Sequence, residues 1–177
     1  MSPPNASNTC YAIIPTGGIA NNWKQMKNPS MRKVLFICTG NYYRSRFAEG
    51  IFNNAARRTG LEWMAFSRGL AIHMAEGDLS PYTAQALRER NIMLEHTGPT
   101  RRMLTARDLV DATRIVALKR EEHHPLMIRI FPEWADRITY WTVNDIDLAP
   151  PCAALVQIEE LVQKLVAEIT TPPTAPS

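Results

Sequence analysis

One octapeptide holds residues that could do chemistry: CTGNYYRS, Cys38 to Ser45, directly after the apolar run KVLFI. A thiol and a guanidinium stand six positions apart, with a Gly-Asn turn between them. At the end of a strand and the start of a helix, backbone N–H groups turn inward without intrahelical partners and form an anion cradle. Gly40 lets the backbone approach closely, and Asn41 tolerates the left-handed conformation such a turn needs. The same field favours a thiolate at Cys38 over a thiol. Arg44 supplies a fixed charge and a planar fork that matches two oxygens of a tetrahedral dianion. Ser45 can donate a hydroxyl hydrogen bond to the sulfur. A nucleophile and an oxyanion clamp around one small volume suit attack on phosphorus through a cysteinyl-phosphate.

The leaving alkoxide or phenoxide then needs a proton, from a loop at the same sheet edge. YWTVNDIDLAPP offers Asp145 and Asp147. Blander readings stand beside these. A lone strand-end cysteine is usually an inert core residue, and C-x5-R alone occurs often by chance. C-x-G-N-x-x-R-S between a strand and a helix is far more specific. For Asp145 the bland reading is a loop-capping carboxylate, and for Asp147 that reading is the stronger one.

The elements around the loop alternate. KVLFIC, WMAFS, RIVAL and RITYW read as strands. Arg44 to Arg58 reads as a helix with Phe47, Ile51, Phe52 and Ala55 on one face and Gly60 as its stop. SPYTAQALRERN begins with a Ser N-cap and a Pro, with Ala84, Leu87 and Tyr82 turned inward. TARDLV carries a capping-box start at Thr105 and Asp108, and EEHHPLMIRIF is helical in part. Leu155 to Ile169 is the clearest helix. The order β-α-β-α-α-β-α-β-α predicts an α/β fold, a parallel sheet with helices on both faces. Ligands of such sheets bind beyond the strand C-termini, where Cys38 lies. Trp141 precedes the acid loop and is expected to brace it.

The chain of 177 residues suits one domain with two tails. Residues 1–30 hold 14 Ser, Asn, Pro or Gly and only two charges, and read as a flexible tail. Residues 31–170 form the expected domain, and 171–177 a second tail. Met31 is a candidate natural initiator, which an intact Met1 in the native protein's mass spectrum would refute. The net charge of +3 is spread along the chain, with no nucleic-acid stripe. Arg57-Arg58 and Arg101-Arg102 read as solvated pairs. No apolar run is long enough for a membrane span, and the N-terminus lacks a signal-peptide pattern. Three cysteines make no disulfide framework, which favours a reducing cytoplasm. His123-His124 is adjacent, not at metal-ligand spacing, so no metal is predicted. Nothing in the sequence signals an oligomeric state.

VLFICTGNYYRSRFAEGIF resembles the active-site segment of the low-molecular-weight protein tyrosine phosphatases, V-C-x-G-N-x-C-R-S-P-x-A-E. SRG at Ser67–Gly69, LSPYTAQAL, DLVDATRIVALKREEHH and YWTVNDI resemble later segments of the same family. The resemblance covers roughly residues 33–169. It implies a flavodoxin-like sheet of four parallel strands and a phosphomonoesterase needing no cofactor, acting on a phosphorylated protein or a small phosphate ester. It implies Cys38 as nucleophile, Arg44 as phosphate clamp, Ser45 as support for the thiolate and Asn41 as the holder of the loop. Backbone amides from Thr39 through Gly40, Asn41, Tyr42 and Tyr43 to Arg44 would complete the cradle. Asp145 would protonate the leaving group and then activate water.

The departures matter. The family's second loop cysteine is Tyr43 here, so no disulfide can form within the loop. Arg46 replaces a proline and adds a positive charge near the loop. Ile146 replaces the proline after the acid, and the ring-stacking aromatics that follow it are absent, although Tyr42 could form an aromatic wall. Tyr42 also differs from the threonine of bacterial protein arginine phosphatases. A thioredoxin-coupled arsenate reductase would need two further cysteines, and residues 70–100 hold none. A phosphocysteine carrier would do without Arg44. The alternative from another class is a non-catalytic phosphoprotein-binding or regulatory module on the same fold.

Overall fold

The computed structural model describes residues 31–148 and 150–171. The expected tail over 1–30 and most of the expected C-terminal tail lie outside the described residues.

Four parallel strands form the sheet in the order β2-β1-β3-β4: β1 Arg32–Cys38, β2 Trp63–Gly69, β3 Arg114–Ala117 and β4 Thr139–Tyr140. The register pairs Cys38 with Gly69 on one side and Ile37 with Ala117 on the other. β1 is central and its residues Val34 to Cys38 are buried, which is why it reads as a continuous apolar run. Its alternate side chains feed two cores. Val34, Phe36 and Cys38 pack with α1 (Arg44–Thr59), α2 (Pro81–Glu89) and α6 (Pro151–Thr170). Leu35 and Ile37 pack with α3 (Ala106–Asp111), α4 (Arg120–Ile130) and α5 (Pro132–Ala135). This is the α/β, flavodoxin-like arrangement. Chain order reverses between β1 and β3, and at such a switch point a crevice opens at the strand C-termini.

Three local readings need correction. RITYW shrinks to a two-residue strand at the sheet edge, paired with β3 alone. PEWA, for which no element was expected, forms the extra helix α5. α2 buries Thr83, Ala86 and Leu87, while Tyr82 is 49% exposed. Gly60 ends α1 with φ 66°, a left-handed cap suited to glycine. Thr105 and Asp108 form a reciprocal capping box on α3.

Candidate active site

The loop between β1 and α1 is fixed from outside. Leu70 N–H donates to the Cys38 carbonyl, Ala71 to Thr39, Ser80 to Tyr42 and the Thr83 hydroxyl to Tyr43. No side chain caps α1. None of the N–H groups of Gly40 to Ser45 finds a turn or loop acceptor among the described residues. N–H groups left free at the start of a helix can take an anion, and the helix dipole adds to them.

Asn41 sits at φ 49°, the left-handed region. Its side chain holds that strain with three bonds: Oδ1 accepts from Arg102 N–H at 2.8 Å, and Nδ2 donates to Ser67 Oγ at 2.8 Å and Ser45 Oγ at 3.2 Å. Ser45 Oγ in turn lies 3.0 Å from Cys38 Sγ. Gly69 is the close-approach position: an added Cβ would lie 2.8 Å from the Thr39 carbonyl oxygen.

Arg44 is 1% exposed and reaches under the loop. Its NH1 donates to Glu122 Oε2 at 2.9 Å and to the Val143 carbonyl at 3.1 Å. Its NH2 donates to Glu122 Oε1 at 2.8 Å and Asp145 Oδ2 at 2.5 Å. Burial works against its charge, but Glu122, Cys38 and Asp145 more than offset it and its pKa rises. Asp145 thus reaches the loop's arginine, while Asp147 lines the same cavity further out and is exposed. Trp141 packs on Phe36 at 5.7 Å between ring centres and bonds to Ala117 and Arg120 through its backbone, a brace for the start of the acid loop.

Glu122 is the site residue that sequence reasoning missed. It lies in the first turn of α4, beyond the C-terminus of β3, and also accepts from the Thr39 hydroxyl. Burial alone would push its carboxyl up; the His123 ring and the Arg44 guanidinium hold it well below the usual range. Arg44 is the stronger of the two. Its pair is bidentate, whereas His123 Nε2, 3.3 Å away, does not line up and has no hydrogen-bond partner among the described residues. His123 Nδ1 accepts from Lys119 N–H at 3.0 Å, and burial pushes the ring's pKa down, so it is neutral with its proton on Nε2. The signal was available: an acidic pair in the first turn of the helix that follows a strand at the same sheet edge.

Arg46 does not add charge to the cavity. It is 2% exposed and turned into the protein. It donates to Thr97 Oγ1 at 2.6 Å, to the Asp78 carbonyl at 2.9 Å and to the Gly98 carbonyl, and lies 3.8 Å from Glu49 Oε2. Glu49 accepts from Ser67, Thr97 and Gly98, and burial pushes its carboxyl up. Arg101, read as solvated, instead donates to the Ile72 and Ala75 carbonyls and holds the rim segment. Tyr43 is buried, and its hydroxyl donates to the Pro151 carbonyl at 2.9 Å. Tyr42 lines the cavity.

These groups surround a cavity of about 530 Å³ walled by Tyr42, Tyr43, Tyr82, Met74 and Ile146. A second cleft of about 170 Å³ lies against α6, near Arg114 and Trp141, and holds none of the predicted chemistry.

The family model described as low molecular weight phosphotyrosine protein phosphatase matches residues 33–151. The chain belongs to this family. It is a hydrolase of the low-molecular-weight phosphatase type, a family whose chemistry runs through a cysteine nucleophile. A protein-arginine-phosphatase of Bacillus subtilis (strain 168) is 26% identical over 148 residues, 77% of this chain and 95% of the relative. The structure of a low molecular weight protein tyrosine phosphatase from T. tengcongensis superposes with a TM-score of 0.67 at 28% identity, covering 77% of this chain and 99% of that one. YfkJ from Bacillus subtilis gives 0.68 at 26% identity, over 79% and 95%. No helix among the described residues is long and apolar enough to cross a membrane.

Proposed function

We propose that the phosphatase chemistry runs through Cys38, Arg44 and Asp145. The thiolate attacks phosphorus while the loop amides and Arg44 take the equatorial oxygens. The bond to the leaving oxygen breaks, and Asp145, which takes up a proton on leaving its ion pair with Arg44, gives that proton to the oxygen. Asp145, now ionised, takes a proton from water, which attacks the phosphocysteine and releases phosphate and the thiolate. Ser45, 3.0 Å from the sulfur, donates to the thiolate. An incoming phosphate competes for the Arg44 N–H that Asp145 occupies and so releases Asp145 toward the leaving group. The observation that carries this reading is convergence. Cys38 and Arg44 come from one loop and Asp145 from another, 101 positions beyond Arg44, and all three line one cavity.

The substrate is a phosphorylated protein side chain or a small phosphate ester. Tyr42 and Tyr82, with Met74 and Ile146, form an apolar wall suited to a phenyl ring, which favours an aryl phosphate such as phosphotyrosine. The second substrate reading is phosphoarginine, the substrate class in the name of the Bacillus relative, and carboxylates at the cavity mouth suit a guanidinium. A reducing, cytoplasmic setting fits a Cys38 that has no second loop cysteine to protect it.

The test is hydrolysis of p-nitrophenyl phosphate without added metal, native protein against Cys38→Ser. Turnover in the native protein alone is expected. Vanadate binding without turnover would instead support the non-catalytic phosphoprotein-binding module. Matched phosphotyrosine and phosphoarginine peptides then separate the two substrate readings.

A further inference from the structure

Among the described residues, Arg44 is the one cation lining the cavity, against the carboxylates of Glu76, Glu122, Asp145 and Asp147. The chain as a whole carries +3, so this mouth runs against the overall charge. Arg44 does not redress it. The guanidinium is buried, and both terminal nitrogens are committed to Glu122, Val143 and Asp145. Phosphate can take the place of Asp145, but Glu122 grips the guanidinium with both oxygens and stays ionised. The arginine therefore presents a directed hydrogen-bond donor whose charge is already balanced. Amide dipoles hold the phosphoryl group itself, yet among the described residues lining the mouth no cation answers negative charge around it. Glu76 and Asp147 stand exposed at the rim.

We propose that Glu122, with Glu76 and Asp147, makes this site select phosphorylated residues flanked by lysine or arginine. The inference rests on the phosphatase reading and names the substrate sequences it takes. Glu122 removes the general attraction for anions, so an acidic peptide gains nothing from Arg44. The two rim carboxylates take the ammonium or guanidinium heads of the flanking residues. The exposed side chains of Met74 at 70% and Ile146 at 46% receive their aliphatic stems, and the Tyr82 ring can receive a cation on its face.

The test reads binding to the Cys38→Ser protein, so a failure of catalysis in the native protein leaves it intact. Two phosphotyrosine peptides of equal length are compared by fluorescence anisotropy, one flanked by lysines and one by glutamates. The lysine peptide should bind about tenfold more tightly at low salt, and the gap should close in about 0.5 M salt as screening shortens. Glu76→Gln with Asp147→Asn should shrink the gap. Glu122→Gln should tighten binding of the glutamate peptide and of inorganic phosphate, whereas a carboxylate that merely braced Arg44 would weaken every ligand on removal. Equal binding of the two peptides, or tighter binding of the acidic one, overturns the proposal, as does uniform weakening in Glu122→Gln.

Discussion

The nucleophile loop and the acid loop face each other across one cavity and are held in opposite ways. From Cys38 to Arg46 the polar side chains other than that of Tyr42 have fixed partners. Asn41 alone is tied to Ser45, Ser67 and Arg102, and a second layer of Glu49, Arg46 and Thr97 lies beneath. Apart from an exposed bond from Lys119 to the Asn144 side chain, the acid loop is anchored, among the described residues, through backbone bonds to Ala117 and Leu118 as far as Val143. Beyond it Asn144, Ile146, Asp147 and Leu148 are exposed, and Asp145 reaches the other loop through one ion pair. The difference fits the work. Stabilising charge on phosphorus requires donors already in place, whereas a group that gives a proton to one oxygen and then takes one from another must turn between them.

The largest effect should come from breaking the less anchored side. Asp145→Asn should slow kcat by ~10²–10⁴ with little change in melting temperature. Asp147→Asn should stay within a few fold on p-nitrophenyl phosphate. The reverse result would move the acid role to Asp147. On the fixed side, Arg46→Ala should act through stability. It leaves Glu49 buried without its nearest cation and frees the carbonyls of Asp78 and Gly98, at a cost of about 3–5 kcal/mol. Urea unfolding would read that loss. A variant as stable as the native protein would show that the second layer does not hold the loop.

The same contrast explains what the sequence revealed. β1 and α1 are dictated locally: a buried run, a Gly-Asn turn and an uncapped helix start put Cys38, Arg44 and Ser45 together within eight residues. The alternation of strands and helices was enough for sheet and layers. Pairing Glu122 with Arg44 was not legible, because it joins residues 78 apart and depends on how deep the arginine reaches. Arg46 misled for a related reason. An arginine beside a phosphate loop reads as added charge, yet the space under the loop holds backbone carbonyls that a proline could not satisfy. Arg101 was misread alike, since its acceptors are carbonyls, which sequence patterns do not mark.

Tyr43 joins the two regions, and its removal should give the smallest effect. It is part of the nucleophile loop, but its hydroxyl donates to the Pro151 carbonyl, where α6 begins just after the acid loop. Tyr43→Phe keeps the ring and its edge contact with Tyr82, so only that hydrogen bond is lost, at about 0.5–1.5 kcal/mol. Burial, aided by the charge of Asp145, pushes the phenol up from its ordinary 10.0 to about 12. A folded pKa above the unfolded one gives stability that is whole below the unfolded value and is lost as pH rises through the folded value. The stability gap between native and Tyr43→Phe proteins should therefore be constant from neutral pH to about 10 and narrow toward about 12. A gap that narrows near neutral pH would mean the phenol ionises there and does not tie the loops in the working enzyme. If kcat for Tyr43→Phe also falls more than a few fold, the anchor at Pro151 sets where Asp145 can reach, and the two regions are coupled in catalysis as well as in stability.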